Sequence, residues 1–147
     1  MADRTSRHAS SRSETKAAVL ALKPTAPPRP NTRWEDALAT VSVRGDLDRE
    51  ALWAIDYTVA RAATEAGRIV LDLTEVTHLE YAGVPALVRR RRELLGRGGD
   101  LLIAVRNPYV SNILKATGGA DLALFRTVEE ASGAVAVPIA RVRMMRK

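Results

Sequence analysis

Residues 69–105 read IVLDLTEVTHLEYAGVPALVRRRRELLGRGGDLLIAV, and this stretch decides the fold class. It opens with the apolar IVLDL (69–73) and closes with LLIAV (101–105), and both runs are typical of strands buried on two faces. Between them, residues 83–95 place apolar side chains at helical spacing, and a glycine-rich GRGG ends that helix. A strand, a helix and a second strand in this order indicate a parallel α/β unit.

The flanking sequence continues the same alternation of strands and helices. TVSVR (40–44) alternates apolar and polar residues as a strand does, and Asp48 is well placed to cap a helix that runs to about residue 66. Asn107 followed by a proline predicts another helix start, LALF (122–125) a short strand, and TVEE (127–130) a capping box. We predict helices starting near Asp48, Ala82, Asn107 and Thr127. The fold class is α/β: a single domain with a four- to five-stranded, mostly parallel or mixed sheet and about four helices.

Charge divides the chain into three parts. Residues 1–33 hold seven basic and two acidic side chains, residues 138–147 hold four basic ones, and residues 34–137 hold 12 basic and 15 acidic ones. We predict a disordered basic tail with a proline-rich linker at 1–33, a domain at 34–137 and a basic C-terminal tail at 138–147. Residues 18–22 form either a short edge strand or one more helical turn. Because the basicity lies in the ends, nucleic-acid binding by the domain is not expected.

The composition excludes several kinds of chemistry. The absence of cysteine removes disulfides, thiolate metal sites and thiol catalysis, and it fits a reducing cytoplasm. The two histidines are far apart, so we expect no metal site and no cofactor. No apolar run is long enough to span a bilayer, so no membrane insertion is expected. The predicted location is therefore cytoplasmic, although the Arg- and Ser-rich start also fits a transit peptide.

Three segments together resemble the STAS domain, which is found in bacterial anti-sigma factor antagonists and at the ends of sulfate transporters. VSVRGDLD (41–48) is similar to a strand of the family and the Gly-Glu/Asp-Leu-Asp segment that follows it, and residues 69–105 match its strand, turn, helix, Gly-Gly and strand without a gap. NPYVSNILKATG (107–118) resembles the next helix. The resemblance covers roughly residues 40–137 and implies the same α/β fold.

The resemblance also implies a position for the family's switch. In antagonists of this family, a kinase that is also the anti-sigma factor phosphorylates a serine in an Asp-Ser-Ser-Gly turn. The matching residues here are Glu80, Tyr81, Ala82 and Gly83, and the phosphoacceptor position falls on Ala82, which has no hydroxyl. We therefore expect a partner-binding module that is not switched at this position. Control could instead act at Thr77, at Tyr81 or at the tails.

Each candidate residue at the turn has two open interpretations. Glu80 either caps a helix or supplies a permanent negative charge near the helix start. Tyr81 either anchors a partner or is an ordinary surface tyrosine. Asp46 and Asp48 should lie near Glu80 if the resemblance holds, but no histidine or nucleophile joins them, so neither a metal nor a catalytic site is expected.

The four consecutive arginines, Arg89 to Arg92, also allow two interpretations. They form either a solvated helix face or a basic patch for an acidic partner. Three of them should face water, and Arg91 should lie along the apolar face. The residues predicted to face the core in this helix are Val84, Leu87, Val88, Leu94 and Leu95. The candidate partner-binding residues are Asp46, Asp48, Glu80, Tyr81, Gly83, Arg89 and Arg92.

The function implied by the resemblance is a non-enzymatic protein-binding module of a bacterial signalling network. It would be of the anti-sigma factor antagonist type, with a serine kinase-like anti-sigma factor as its partner and with roles in partner switching and transcription regulation. The alternative is a STAS-type accessory subunit of an ABC phospholipid-transport system, which would bind the ATPase subunit. A second copy of the chain is a further candidate partner.

Overall fold

The computed structural model describes residues 19–24 and 32–135. The predicted tail at 138–147, most of the tail at 1–33 and most of its proline-rich segment lie outside these residues. Among the described residues, no helix has the length and apolar character needed to cross a membrane.

Within the described residues, five strands form one sheet whose spatial order equals their order in the chain. The strands are β1 (Val19–Pro24), β2 (Leu38–Leu47), β3 (Arg68–Leu79), β4 (Asp100–Ala104) and β5 (Ala123–Phe125). The first strand runs antiparallel to its neighbour, and the other four are parallel. The predicted fold class is confirmed. The stretch left open between strand and helical turn is the edge strand β1, which lies ahead of the predicted domain boundary.

Four α-helices in the described part of the chain follow the predicted order: α1 (Arg49–Ala62), α2 (Val84–Gly96), α3 (Pro108–Gly118) and α4 (Val128–Val135). Their starts lie near the predicted positions, and side-chain caps form at three of them, Asp48, Asn107 and Thr127. The Asp48 carboxylate accepts a hydrogen bond from the Ala51 amide at 2.8 Å, and the Asn107 side chain accepts one from the Tyr109 amide at 2.8 Å. Single 3-10 turns lie at Trp34–Asp36, Tyr81–Gly83 and Gly119–Asp121.

The sheet separates two apolar layers. Alternate residues of β3, such as Ile69 and Leu71, pack with α1, α2 and α3 in the main core. Val70, between them, faces the other side and packs with Leu102 and with Ala131 of α4. This arrangement explains why residues 69–71 near the start of β3 are continuously apolar, since both faces of the strand are buried there.

Two sequence expectations were wrong in detail. β3 continues to Leu79, well beyond the predicted 69–73, and its later buried residues recur at every third position instead of every second. This spacing follows register shifts between β2 and β3, and it hides the period of two that would have revealed the strand. Leu95, predicted to face the core, is 47% exposed, because Leu94 takes the inward position in that helical turn.

Candidate functional site

The candidate site lies where the parallel strands end and α2 begins. Leu47 and Leu79, the last residues of β2 and β3, are paired in register, so the segments that follow them leave the sheet side by side. The 3-10 turn Tyr81–Gly83 connects β3 to α2 and also contacts α1 and α3. The predicted neighbourhood of Asp48 and Glu80 is present at this edge of the sheet.

The two carboxylates at the edge are used to cap α1. Asp48 accepts from the Ala51 amide, and the Glu80 carboxylate accepts from the Arg49 amide at 2.9 Å. These amides belong to the first turn of the helix, where N–H groups lack partners inside the helix and the helix dipole favours negative charge. Glu80 is therefore a capping residue, but the helix that it caps is α1 and not α2, which it precedes in the chain.

The backbone beside Glu80 is fixed as well. The Glu80 amide donates to the Leu47 carbonyl at 2.9 Å, and the Gly83 amide donates to the Glu80 carbonyl at 3.1 Å. Gly83 is buried, and a Cβ atom added there would lie 2.2 Å from Cδ1 of Leu52 in α1. Only glycine lets the turn approach α1 this closely, so Gly83 serves packing inside the domain.

Between these two anchored positions, the turn presents two side chains to solvent. Tyr81 is 68% exposed, and Ala82 is also exposed. No side chain caps the start of α2, where Pro85 stands in the first turn and is exposed. The candidate phosphoacceptor position, Ala82, is thus accessible but carries no hydroxyl.

The four arginines divide into two pairs, and the expectation that three of them face water is wrong. Arg90 makes a bidentate contact with Asp56 of α1, with distances of 2.9 and 3.0 Å. Arg91 bonds Asp100 of β4 at 2.8 Å and the Asp121 carbonyl at 3.1 Å. These hydrogen bonds connect α2 to its neighbours. The bonds with Asp56 raise the pKa of Arg90 above its usual value.

Arg89 and Arg92 are exposed, as predicted. Arg92 reaches Asp121 at 3.2 Å, but both side chains are more than half exposed, so this ion pair contributes little to stability. Arg89 makes no ion pair with any described residue. It lies one helical turn beyond Pro85, so an exposed stripe runs from the turn along α2.

Sequence reasoning missed an aromatic contact beside the turn. The rings of His78, near the end of β3, and Tyr109, in the first turn of α3, stack with centroids 5.6 Å apart and planes at 21°. Both residues are exposed. The signal was available, because Tyr109 follows the Asn-Pro helix start and His78 precedes the turn, and parallel strands bring such positions to one edge.

The described residues show no cluster suited to metal binding. They contain no group of three or more His, Cys, Asp or Glu side chains that could hold a metal ion. Asp46 has one buried carboxylate oxygen without a hydrogen-bond partner in the described part of the chain. The Thr77 hydroxyl donates to the Gly45 carbonyl at 3.3 Å. What this edge offers chemically is a surface of aromatic and cationic groups.

Comparison with solved structures shows the same architecture in proteins of low sequence identity. The anti-sigma factor antagonist SpoIIAA in its unphosphorylated form is 22% identical over 86% of this chain and 97% of its own, with a TM-score of 0.59. An anti-sigma factor antagonist from Mycobacterium paratuberculosis is 21% identical over 81% of this chain and 94% of its own, with a TM-score of 0.63. At these identities the likeness shows the fold alone.

An anion transporter contains the same fold as one of its parts. The murine anion transporter solute carrier 26 family member A9 is 12% identical over 88% of this chain but only 24% of its own, with a TM-score of 0.61. No curated protein sequence matches the chain significantly. The STAS domain family profile matches residues 29–131, which is most of the chain. On that match, the chain belongs to the STAS domain family.

Proposed function

We propose that this STAS domain is a non-enzymatic protein-binding module of a bacterial signalling network, of the anti-sigma factor antagonist type, and that it is not switched by phosphorylation at the turn. The proposed partner is an anti-sigma factor with serine kinase-like character. Support comes from the family and from the two antagonists, since this chain accounts for nearly the whole length of each and for about a quarter of the anion transporter.

The observation that supports the proposal is that some residues of the turn make contacts inside the domain while others are exposed. Glu80 and Gly83 are used inside the domain, one as a cap of α1 and the other for close packing. Tyr81 and Ala82, between them, are exposed. A turn anchored at both ends holds its exposed side chains in one geometry, and this lowers the entropic cost of binding a partner.

The charge on this surface favours an acidic partner. The Asp48 and Glu80 carboxylates are half-buried and accept from amides at the positive end of the α1 dipole, whereas Arg89 is exposed and makes no ion pair among the described residues. Tyrosine and arginine are also the residue types enriched at binding hot spots. We therefore take Tyr81 as the anchor of the docking surface and Arg89 and Arg92 as its cationic flank.

The test is capture of the natural partner from native cells, followed by association kinetics at low and physiological salt. Arg89→Glu with Arg92→Glu should slow association on the order of tenfold at low salt, and by less as salt screens the charges. The matched control is Lys115→Glu with Arg126→Glu, which makes the same charge change at exposed positions of α3 and of the segment before α4. This control should bind like the parent chain.

Three outcomes would count against the proposal. Equal binding by the two double variants would show that the arginines are only a solvated face. Capture of an ABC ATPase subunit would favour the phospholipid-transport alternative. Stoichiometric phosphate on Tyr81 or Thr77 after incubation with the partner kinase, mapped by mass spectrometry, would show that the switch has moved to another residue of this edge.

A further inference from the structure

The outer face of α1 carries two exposed aromatic residues that the docking surface does not use. Trp53 is 71% exposed and Tyr57 is 65% exposed, and their spacing of four residues places them on one side of the helix. The opposite side of α1 is buried through Leu52, Ile55 and Val59. Large exposed aromatic side chains on one face are a mark of interfaces, because tryptophan and tyrosine are enriched there relative to the remaining surface.

The residues around these aromatics form a pattern that is complementary to itself. Glu50 lies near the start of this face of α1 and Arg61 near its end, and both are exposed. The small side chain of Ala54 is also exposed and lies about one helical turn before Tyr57. The Arg61 guanidinium lies 6.0 Å from the centroid of the Tyr57 ring, which keeps this charge on the same face. If two such helices pair antiparallel about a two-fold axis between positions 55 and 56, position 50 meets position 61 and position 54 meets position 57.

We propose that the outer face of α1 is a homodimer interface in which two α1 helices pair antiparallel. Glu50 then faces Arg61 of the partner subunit at both ends, and each Tyr57 packs over the small Ala54 of the partner subunit. A parallel pairing would place like charges opposite each other, so the charge pattern selects the antiparallel arrangement. The proposal is independent of the proposed docking at the turn, because it rests on a different surface.

The size of this face sets the expected affinity. A fully buried aromatic side chain contributes about 150–250 Å². Two partly exposed aromatics with short neighbours therefore supply at most about half of the roughly 800 Å² that each partner buries in a stable interface. We expect a reversible dimer with a dissociation constant on the order of 100 μM, which corresponds to the low end of specific association.

Substitutions that reverse the charge at position 50 or position 61 test the antiparallel pairing of the two helices. Within one helix, positions 50 and 61 are about 16 Å apart, since eleven residues rise about 1.5 Å each, so they cannot pair in the same chain. Glu50→Arg places arginine opposite arginine at both ends of a dimer, and Arg61→Glu places glutamate opposite glutamate. An equimolar mixture of the two variants restores opposite charges at both ends, in heterodimers only.

The measurement is sedimentation equilibrium of the full chain from about 5 μM to about 1 mM, which spans the expected dissociation constant. Each single variant should associate about tenfold or more weakly than the parent, and the mixture should associate like the parent. Glu129→Arg and Lys115→Glu, which make the same charge changes at exposed positions on α4 and α3, are the controls. Alone or mixed, they should behave like the parent, and circular dichroism verifies that all variants are folded.

Several results would overturn the proposal. A parent chain that stays monomeric to about 1 mM would remove the dimer at the expected affinity. A parent that dimerises while both charge variants dimerise equally well would place the interface on another surface. If the parent is monomeric and Trp53→Ala with Tyr57→Ala abolishes capture of the heterologous partner, then this face belongs to that partner.

Discussion

Alanine substitutions at two neighbouring arginines of α2 should have opposite effects on stability and on partner binding. Arg90→Ala removes a bidentate contact with Asp56, at 2.9 and 3.0 Å, and leaves that carboxylate half-buried without its partner. Exposed ion pairs contribute about 0.2–1 kcal/mol, whereas breaking a fully buried pair costs about 3–5 kcal/mol. The two side chains are 20% and 29% exposed, so we expect a loss of about 1.5–2 kcal/mol between these limits.

Arg89→Ala is the matched control in the adjacent position. Its side chain is exposed and makes no ion pair among the described residues, so the free energy of unfolding should change by less than about 0.5 kcal/mol. The variant that loses less stability should lose more binding to the natural partner. Arg89→Ala should slow association, and Arg90→Ala should leave it nearly unchanged at temperatures where the variant is folded.

Urea unfolding measures the stability difference, and a double-mutant cycle with Asp56→Asn isolates the pair. A coupling energy of about 1 kcal/mol or more is expected, and a domain of this size should lose about 4–8 °C of Tm per kcal/mol. If Arg90→Ala and Arg89→Ala unfold alike, or if the cycle gives no coupling, the division of the arginine run into structural and free residues is wrong.

Three further changes test the turn. Glu80→Ala should destabilise the domain by about 1 kcal/mol, and Glu80→Gln by less, because glutamine still accepts from the Arg49 amide but lacks the charge; thermal melts of both variants would contradict this if neither differed from the parent. Gly83→Ala should cost about 1–3 kcal/mol through its contact with Leu52, and Leu52→Ala should cost less in that background than in the parent; additive urea-unfolding energies would refute the contact. Ala82→Ser should fold normally, since serine is favoured at helix starts; phosphate mapped to position 82 of this variant, and not of the parent, would show a restored acceptor.

The sequence predicted the order of elements well because the signals were local. Apolar runs marked β3 and β4, and side-chain caps at Asp48 and Asn107 marked two helix starts within one residue. The end of β3 was missed because register shifts against β2 break the alternation there. An element can be located from the local alternation of apolar and polar residues, and irregular strand pairing disrupts that alternation.

The candidate site was predicted less completely because its contacts are distant in sequence. That Glu80 caps α1 instead of α2 depends on a bond to Arg49, 31 residues earlier. That Arg90 is structural depends on Asp56, 34 residues earlier. Neither partner can be identified from spacing alone, because the pairing is set by how two elements cross in three dimensions.

These distant contacts determine what the edge of the sheet can offer to another protein. Three carboxylates near a helix start would suggest an acidic surface, but the Asp48 and Glu80 carboxylates accept from α1 amides and so satisfy the first turn of that helix. Two of the four arginines are likewise used within the domain. On the proposed docking surface, the groups left for a partner are Tyr81, Arg89 and Arg92, which are aromatic and cationic, although the formal charge of residues 34–137 is negative. Net charge alone would suggest a basic partner, whereas the proposed function expects an acidic one because Arg89 is exposed and makes no ion pair among the described residues.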